Sequence, residues 1–141
     1  MGLVRQLEDS LAALEIGWCA ATLAMTDDKQ ICRPDDPRAS SWCALGAMAK
    51  ATNLTDWHGV DRMCNALGEQ MTEIERRVVK TPFRSINPTA WDRVAWDRVV
   101  RFNNLLGEDA TKDLFRRAIR AEKAIEVVEV PAPALHEGVL V

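Results

Sequence analysis

The run Trp42-Cys43-Ala44-Leu45-Gly46-Ala47 decides how this chain is read. It sets a bulky indole before small residues, just after Asp35-Asp36-Pro37, and an earlier run, Gly17-Trp18-Cys19-Ala20-Ala21, has the same character. Small side chains shorten the distance at which two helices pack, so the two runs predict paired helix faces. Asp36 suits an N-cap and Pro37 the first helical position, where its missing N–H is no loss. The expectation is a helix from Pro37 to about Thr52.

Upstream, Val4, Leu7, Leu11, Leu14, Trp18, Ala21 and Met25 alternate steps of three and four residues. That periodicity predicts one amphipathic helix over about residues 3–25. Gly17 inside it costs about 1 kcal/mol relative to Ala, which a close helix crossing would explain. Thr26 to Gln30 reads as a turn and Ile31-Cys32-Arg33 as a short extended piece. Downstream, Asn53-Leu54-Thr55 is a turn with Thr55 as N-cap. Trp57, Val60, Cys64, Leu67, Met71, Ile74 and Val78 then repeat the three-four spacing of a third helix. Two such stripes of about three heptads predict a helical seam inside one bundle.

Lys80 to Ile86 is a proline-broken connector, and Asn87-Pro88 restarts a helix. An internal repeat follows, Ala90-Trp91-Asp92-Arg93-Val94 and Ala95-Trp96-Asp97-Arg98-Val99. A period of five turns Trp91 and Trp96 about 140° apart on a helix, so both cannot face one core. Gly107 is a natural helix stop. A last helix begins near Asp109 and carries Leu114, Ala118, Ala121 and Ile125 on one face. The fold class expected is all-α, a compact bundle of about five helices. Residues 1–125 form its single domain, and residues 126–141 form an extended or flexible acidic, proline-containing tail.

The 141 residues are 48% hydrophobic and 28% charged, the composition of an ordinary globular domain. No apolar run reaches the 18 or so residues of a membrane span, and the N-terminal residues lack a signal-peptide core. The expectation is a cytoplasmic protein with no membrane partner. The four cysteines, at 19, 32, 43 and 64, include no C-x-x-C pair. They read as reduced, buried thiols, with no metal expected. The net charge of −3 hides a split: residues 1–75 carry 6 basic and 12 acidic side chains, residues 76–120 carry 11 and 5. Such asymmetry bears on partners more than on fold.

Taken together, Gly17-Trp18-Cys19, Ala24, Asp35-Asp36-Pro37 and Trp42-Cys43-Ala44-Leu45-Gly46-Ala47 resemble a family of small bacterial and phage proteins, the domain-of-unknown-function family numbered 6197. Val100-Arg101-Phe102-Asn103-Asn104 is similar to its hydrophobic-Trp-Asn-Asp signature, and Ala110-Thr111 to Ala118-Ile119 to its closing helix. The resemblance covers roughly residues 3–120. The chain departs from it at the Asp27-to-Gln30 turn, which lacks a glycine, and at Phe102 and Asn104 of the signature. The tryptophan repeat looks like an addition. The resemblance implies a small all-helical domain and brings no activity with it.

Four constellations bear on chemistry. Asp27-Asp28 and Asp35-Asp36 lack the spacing and glycine of a calcium loop and read as turn and cap residues. Cys43 would need His58 and an orienting third group to act as a nucleophile, and reads instead as a structural thiol. The basic set Arg93, Arg98, Arg101, Arg116, Arg117 and Arg120, with Trp91 and Trp96, is the candidate interaction surface. Asp92 and Asp97 interleave with it, so helix ion pairs and salt bridges to the acidic first half explain many of the same residues. The negative net charge weighs against nucleic acid. Trp18, Trp42, Asn103 and Asn104 form a candidate pocket.

The reading that follows is a non-enzymatic protein-interaction or regulatory module. One form of it is a phage-borne protein acting on a host protein, with a protein partner and a homodimer both in view. The alternative is a small-molecule or nucleotide binder that uses the Trp/Asn-lined pocket. No catalytic residue and no cofactor is assigned.

Overall fold

The computed structural model describes residues 2–80 and 94–129, with side chains to residue 126. Among these residues there are five helices and a small three-stranded sheet. The elements are α1 (Leu3–Ile16), β1 (Ala24–Thr26), β2 (Ile31–Cys32), β3 (Ala39–Trp42), α2 (Ala44–Ala51), α3 (Trp57–Gln70), α4 (Glu73–Val79) and α5 (Val94–Glu129). The chain is therefore mostly helical, as its periodicity predicts, but it is not all-α.

The sheet replaces helix that the two small-residue runs predict. Helix α1 stops at Ile16, because Gly17 to Cys19 pairs with Trp42 instead: Trp42 N donates to Gly17 O at 3.0 Å and Cys19 N to Trp42 O at 3.2 Å. The three-four spacing runs on through Trp18, Ala21 and Met25, yet these residues lie in irregular chain and β1. Tertiary pairing has overridden local helix preference. Asp36-Pro37 does not start the expected helix but makes a turn, with Asp36 Oδ1 accepting from Arg38 N at 2.8 Å and Ala39 N donating to Asp36 O at 2.9 Å. The turn leads into a strand rather than a helix, and α2 waits for Cys43 as its N-cap.

The strand order is β2-β1-β3, antiparallel throughout, with Ala24 opposite both Cys32 and Trp42 and a bulge between Met25 and Thr26. The Thr26 to Gln30 turn and the extended Ile31-Cys32 are as expected. Lys29 holds the left-handed conformation (φ 69°) that a glycine would otherwise supply. Both glycines of the small-residue runs face backbone. A Cβ on Gly17 would lie 2.1 Å from Ser40 O, and one on Gly46 would lie 1.9 Å from Leu23 O. The close approach is thus of the α1 end to β3 and of α2 to the residue before β1, rather than of helix to helix.

The third predicted helix is two. Asp56, not Thr55, caps α3, its Oδ1 accepting from Gly59 N at 2.8 Å. The chain extends at Met71 and restarts at Thr72 with a capping box: Glu75 N donates to Thr72 Oγ1 at 3.1 Å and Thr72 N to Glu75 Oε1 at 2.8 Å. Ile74 and Val78 consequently leave the core stripe and are exposed. The helix start at Asn87-Pro88 lies outside the described residues.

The break expected at Gly107 is present within α5, where φ is 91° and nothing crowds the missing Cβ. The conformation alone demands glycine there. Helix α5 continues through Glu126–Glu129, so the expected tail begins as helix, and residues 130–141 lie outside the described part. The core joins Leu7 and Leu14 of α1, Met48 of α2, Val60, Met63 and Leu67 of α3, and Phe102, Leu114 and Phe115 of α5, all essentially fully buried. None of the described helices is long and apolar enough to cross a membrane.

Candidate functional site

Of the predicted pocket residues, Trp18 and Asn104 meet at Asn103, and Trp42 does not. The Asn103 side chain is fully buried in α5, and its amide uses its whole bonding capacity. Oδ1 accepts from Trp18 Nε1 at 2.8 Å and from Ala44 N at 3.0 Å. Nδ2 donates to Cys19 O at 3.1 Å and to Asn104 Oδ1 at 3.1 Å. Asn104 Oδ1 accepts further from Ala21 N at 2.9 Å, where Ala21 takes a left-handed φ of 67°. Ala44 is the first residue of α2, so Asn103 satisfies one of the N–H groups that a helix start leaves unpaired. Trp42 turns its indole N–H the other way, to Pro34 O at 2.9 Å.

These bonds are internal. A cleft of about 200 Å³ opens beside them, lined by Ala21, Thr22, Leu23, Cys43, Val100 and Asn104. Cys43 offers it little reactivity. Its Sγ accepts from Gly46 N at 3.3 Å in capping α2, and burial pushes its thiol up to about 11. Cys19 and Cys64 are raised by burial as well, and all four cysteines are free thiols. His58 sits exposed in the first turn of α3. The acidic loop is held by its own neighbours, with Arg33 on Asp35 at 3.0 Å and Arg38 on Asp36 at 3.1 Å. Among the described residues no group of three His, Cys, Asp or Glu side chains is placed to hold a metal ion.

The described members of the basic set do not form one surface. Trp91 and Arg93 lie outside the described residues. Trp96 is half-buried, packed on the core, with its ring 5.7 Å from that of Trp57 at a 35° tilt and its indole N–H on Asp61 Oδ1. Arg98 is exposed along the same α3–α5 seam, in a groove of about 440 Å³ with Asn65, Gly68, Glu69 and Arg76. Arg101 is half-buried, and among the described residues its Nε has no hydrogen-bond partner.

Arg117 is spent on structure. Its guanidinium forks onto Glu75 at 3.1 and 3.0 Å, donates to Gln70 O at 2.7 Å, and lies 3.1 Å from Asp113. The bond to Glu75 raises its pKa; burial opposes ionisation of Glu75, but Arg117 and Thr72 hold its carboxyl below the ordinary value. This is the salt bridge to the acidic first half that the charge split suggests. Arg116 and Arg120 instead face α1, across a groove shared with Glu8 and Glu15.

Sequence reading missed Trp57 and Asp61 as surface partners of Trp96. The three-four spacing puts Trp57 in the core stripe, but it is 41% exposed. The i, i+4 spacing of Trp57 and Asp61 on one helix face was the available signal. Comparison of the chain with family models, with curated proteins and with solved structures yields no match.

Proposed function

We propose that the chain is a non-enzymatic protein-interaction module whose contact patch lies on the α3–α5 seam around Trp57 and Trp96. The observation that carries this reading is the tilted, part-exposed indole pair, fixed on two packed helices by the Trp96–Asp61 hydrogen bond. Tryptophan is over-represented at the energetic centres of interfaces because it buries much area at little entropy loss, and Arg98 supplies a charged neighbour on the same seam. The small-molecule reading draws less support. Asn103 and the indole N–H groups of Trp18 and Trp42 are already bonded within the protein, and the adjoining cleft of about 200 Å³ is smaller than the roughly 300–1,000 Å³ of ligand pockets.

The test uses the full chain as bait in cells of its source, followed by calorimetric titration of the captured protein. Trp57→Ala should weaken binding by at least tenfold, by the loss of an aromatic anchor, with the circular dichroism spectrum unchanged. A captured protein that binds the variant as tightly as the parent would overturn this patch. A saturable thermal shift of several degrees with a nucleotide would favour the ligand-binding reading instead.

A further inference from the structure

Helices α1 and α5 run antiparallel. Lys123 Nζ lies 3.2 Å from Glu8 Oε2, and beyond the other end of α1 Trp18 bonds Asn103. Between the two helices runs a solvent-facing groove of about 420 Å³. Leu11, Ala12 and Ile119 give it an apolar floor, with Glu8 and Glu15 on the α1 lip and Arg116 and Arg120 on the α5 lip. Ile16, one helical turn beyond Ala12, continues the apolar strip and is 71% exposed. Glu15, Arg116 and Arg120 are exposed, and among the described residues none of the three is in an ion pair.

From this arrangement we infer that the α1–α5 face is a self-association surface that takes a second copy of this chain, independently of the Trp57–Trp96 patch. One acidic and one basic lip flanking an apolar floor make the face complementary to itself, as an isologous two-fold contact requires. Charge also selects the symmetry axis. A two-fold axis across the groove sets α1 on α1 and α5 on α5, opposing like charges. An axis along the groove sets α1 of each copy over α5 of the other. Residue levels on antiparallel helices then bring Glu15 opposite Arg116 of the second copy, and Glu8 within about one turn of its Arg120. A two-helix face about 21 Å long and about 20 Å wide is at the low end of specific interfaces, so the dimer is a reversible one.

The test is sedimentation equilibrium of the full chain from micromolar to millimolar concentration. The mass should rise from 15.7 kDa towards twice that value, less readily at high salt. Glu15→Arg and Arg116→Glu should each raise the dissociation constant at least about tenfold, since each sets like charges against one another twice in the dimer. An equimolar mixture of the two variants restores both unlike contacts and should recover association. That recovery also shows that each variant is folded. A parent chain that stays monomeric throughout, variants that associate as well as the parent, or a mixture that stays monomeric would each overturn the proposal.

Discussion

Asn103 accepts the indole N–H of Trp18 at 2.8 Å, joining α5 to the chain that leaves α1 across 85 residues of sequence. The same amide holds the first N–H of α2 and the carbonyl of Cys19, so one buried side chain ties three segments together. Removing it would leave several buried groups unpaired at once. Asn103→Ala should therefore lower unfolding free energy by about 3 kcal/mol or more, measured by urea denaturation. A loss under about 1 kcal/mol would mean that water replaces the amide.

Two glycines in helices should respond with opposite sign. Gly46→Ala drives a methyl group into Leu23 O, a backbone atom that cannot turn aside, and should cost about 2 kcal/mol or more. Gly68→Ala meets no heavy atom within 4 Å in α3 and should stabilise by about 0.5 kcal/mol through helix propensity. Thermal denaturation of the pair measures both.

The Glu75–Arg117 fork should make stability depend on pH in a particular direction. A carboxyl whose folded pKa is depressed adds stability above its unfolded value, here 4.5, and loses it as pH falls through the lower folded value. Glu75→Gln should thus cost about 1–2 kcal/mol at neutral pH, with the difference from the parent shrinking steadily below pH 4.5. Urea midpoints measured across the acid range would show it, and a difference that stays constant with pH would contradict it.

The two paired tryptophans should differ in their structural weight. Trp57→Ala removes a ring that is 41% exposed and should cost about 1 kcal/mol. Trp96→Ala removes core contacts and strands the Asp61 carboxylate, and should cost about 3 kcal/mol. Denaturation of each single variant separates the two.

Thiol accessibility should single out Cys32. Cys19, Cys43 and Cys64 are buried and Cys32 is not, so one thiol should react with Ellman's reagent in the native protein and the other three only on unfolding. Rapid labelling of two or more would show that α2 and its Cys43 cap open readily.

Much of the fold is readable from residues close in sequence. The Thr26–Gln30 turn and the Gly107 break depend on local backbone chemistry, and each occurs where the residue types put it, whereas Asp36-Pro37, read as a helix start, makes a turn into a strand. The Thr72–Glu75 capping box was equally local; its S/T-x-x-E signature was present but masked by a hydrophobic stripe that ran through it. The convergence of Trp18 and Asn103 was legible only as a suspicion, since nothing local distinguishes an amide that binds a ligand from one that binds the protein's own backbone.

The sequence by itself determined the mostly helical character, the turns and the helix break, because propensity, capping and glycine conformation act within a few residues. Tertiary structure alone decided that Gly17 accommodates β3 and Gly46 the residue before β1, and not another helix. It also decided that the arginines divide between an internal fork and two separate grooves. Those outcomes rest on backbone hydrogen bonds and side-chain directions set between distant segments, where pairing outweighs a helical periodicity that the same residues also satisfy.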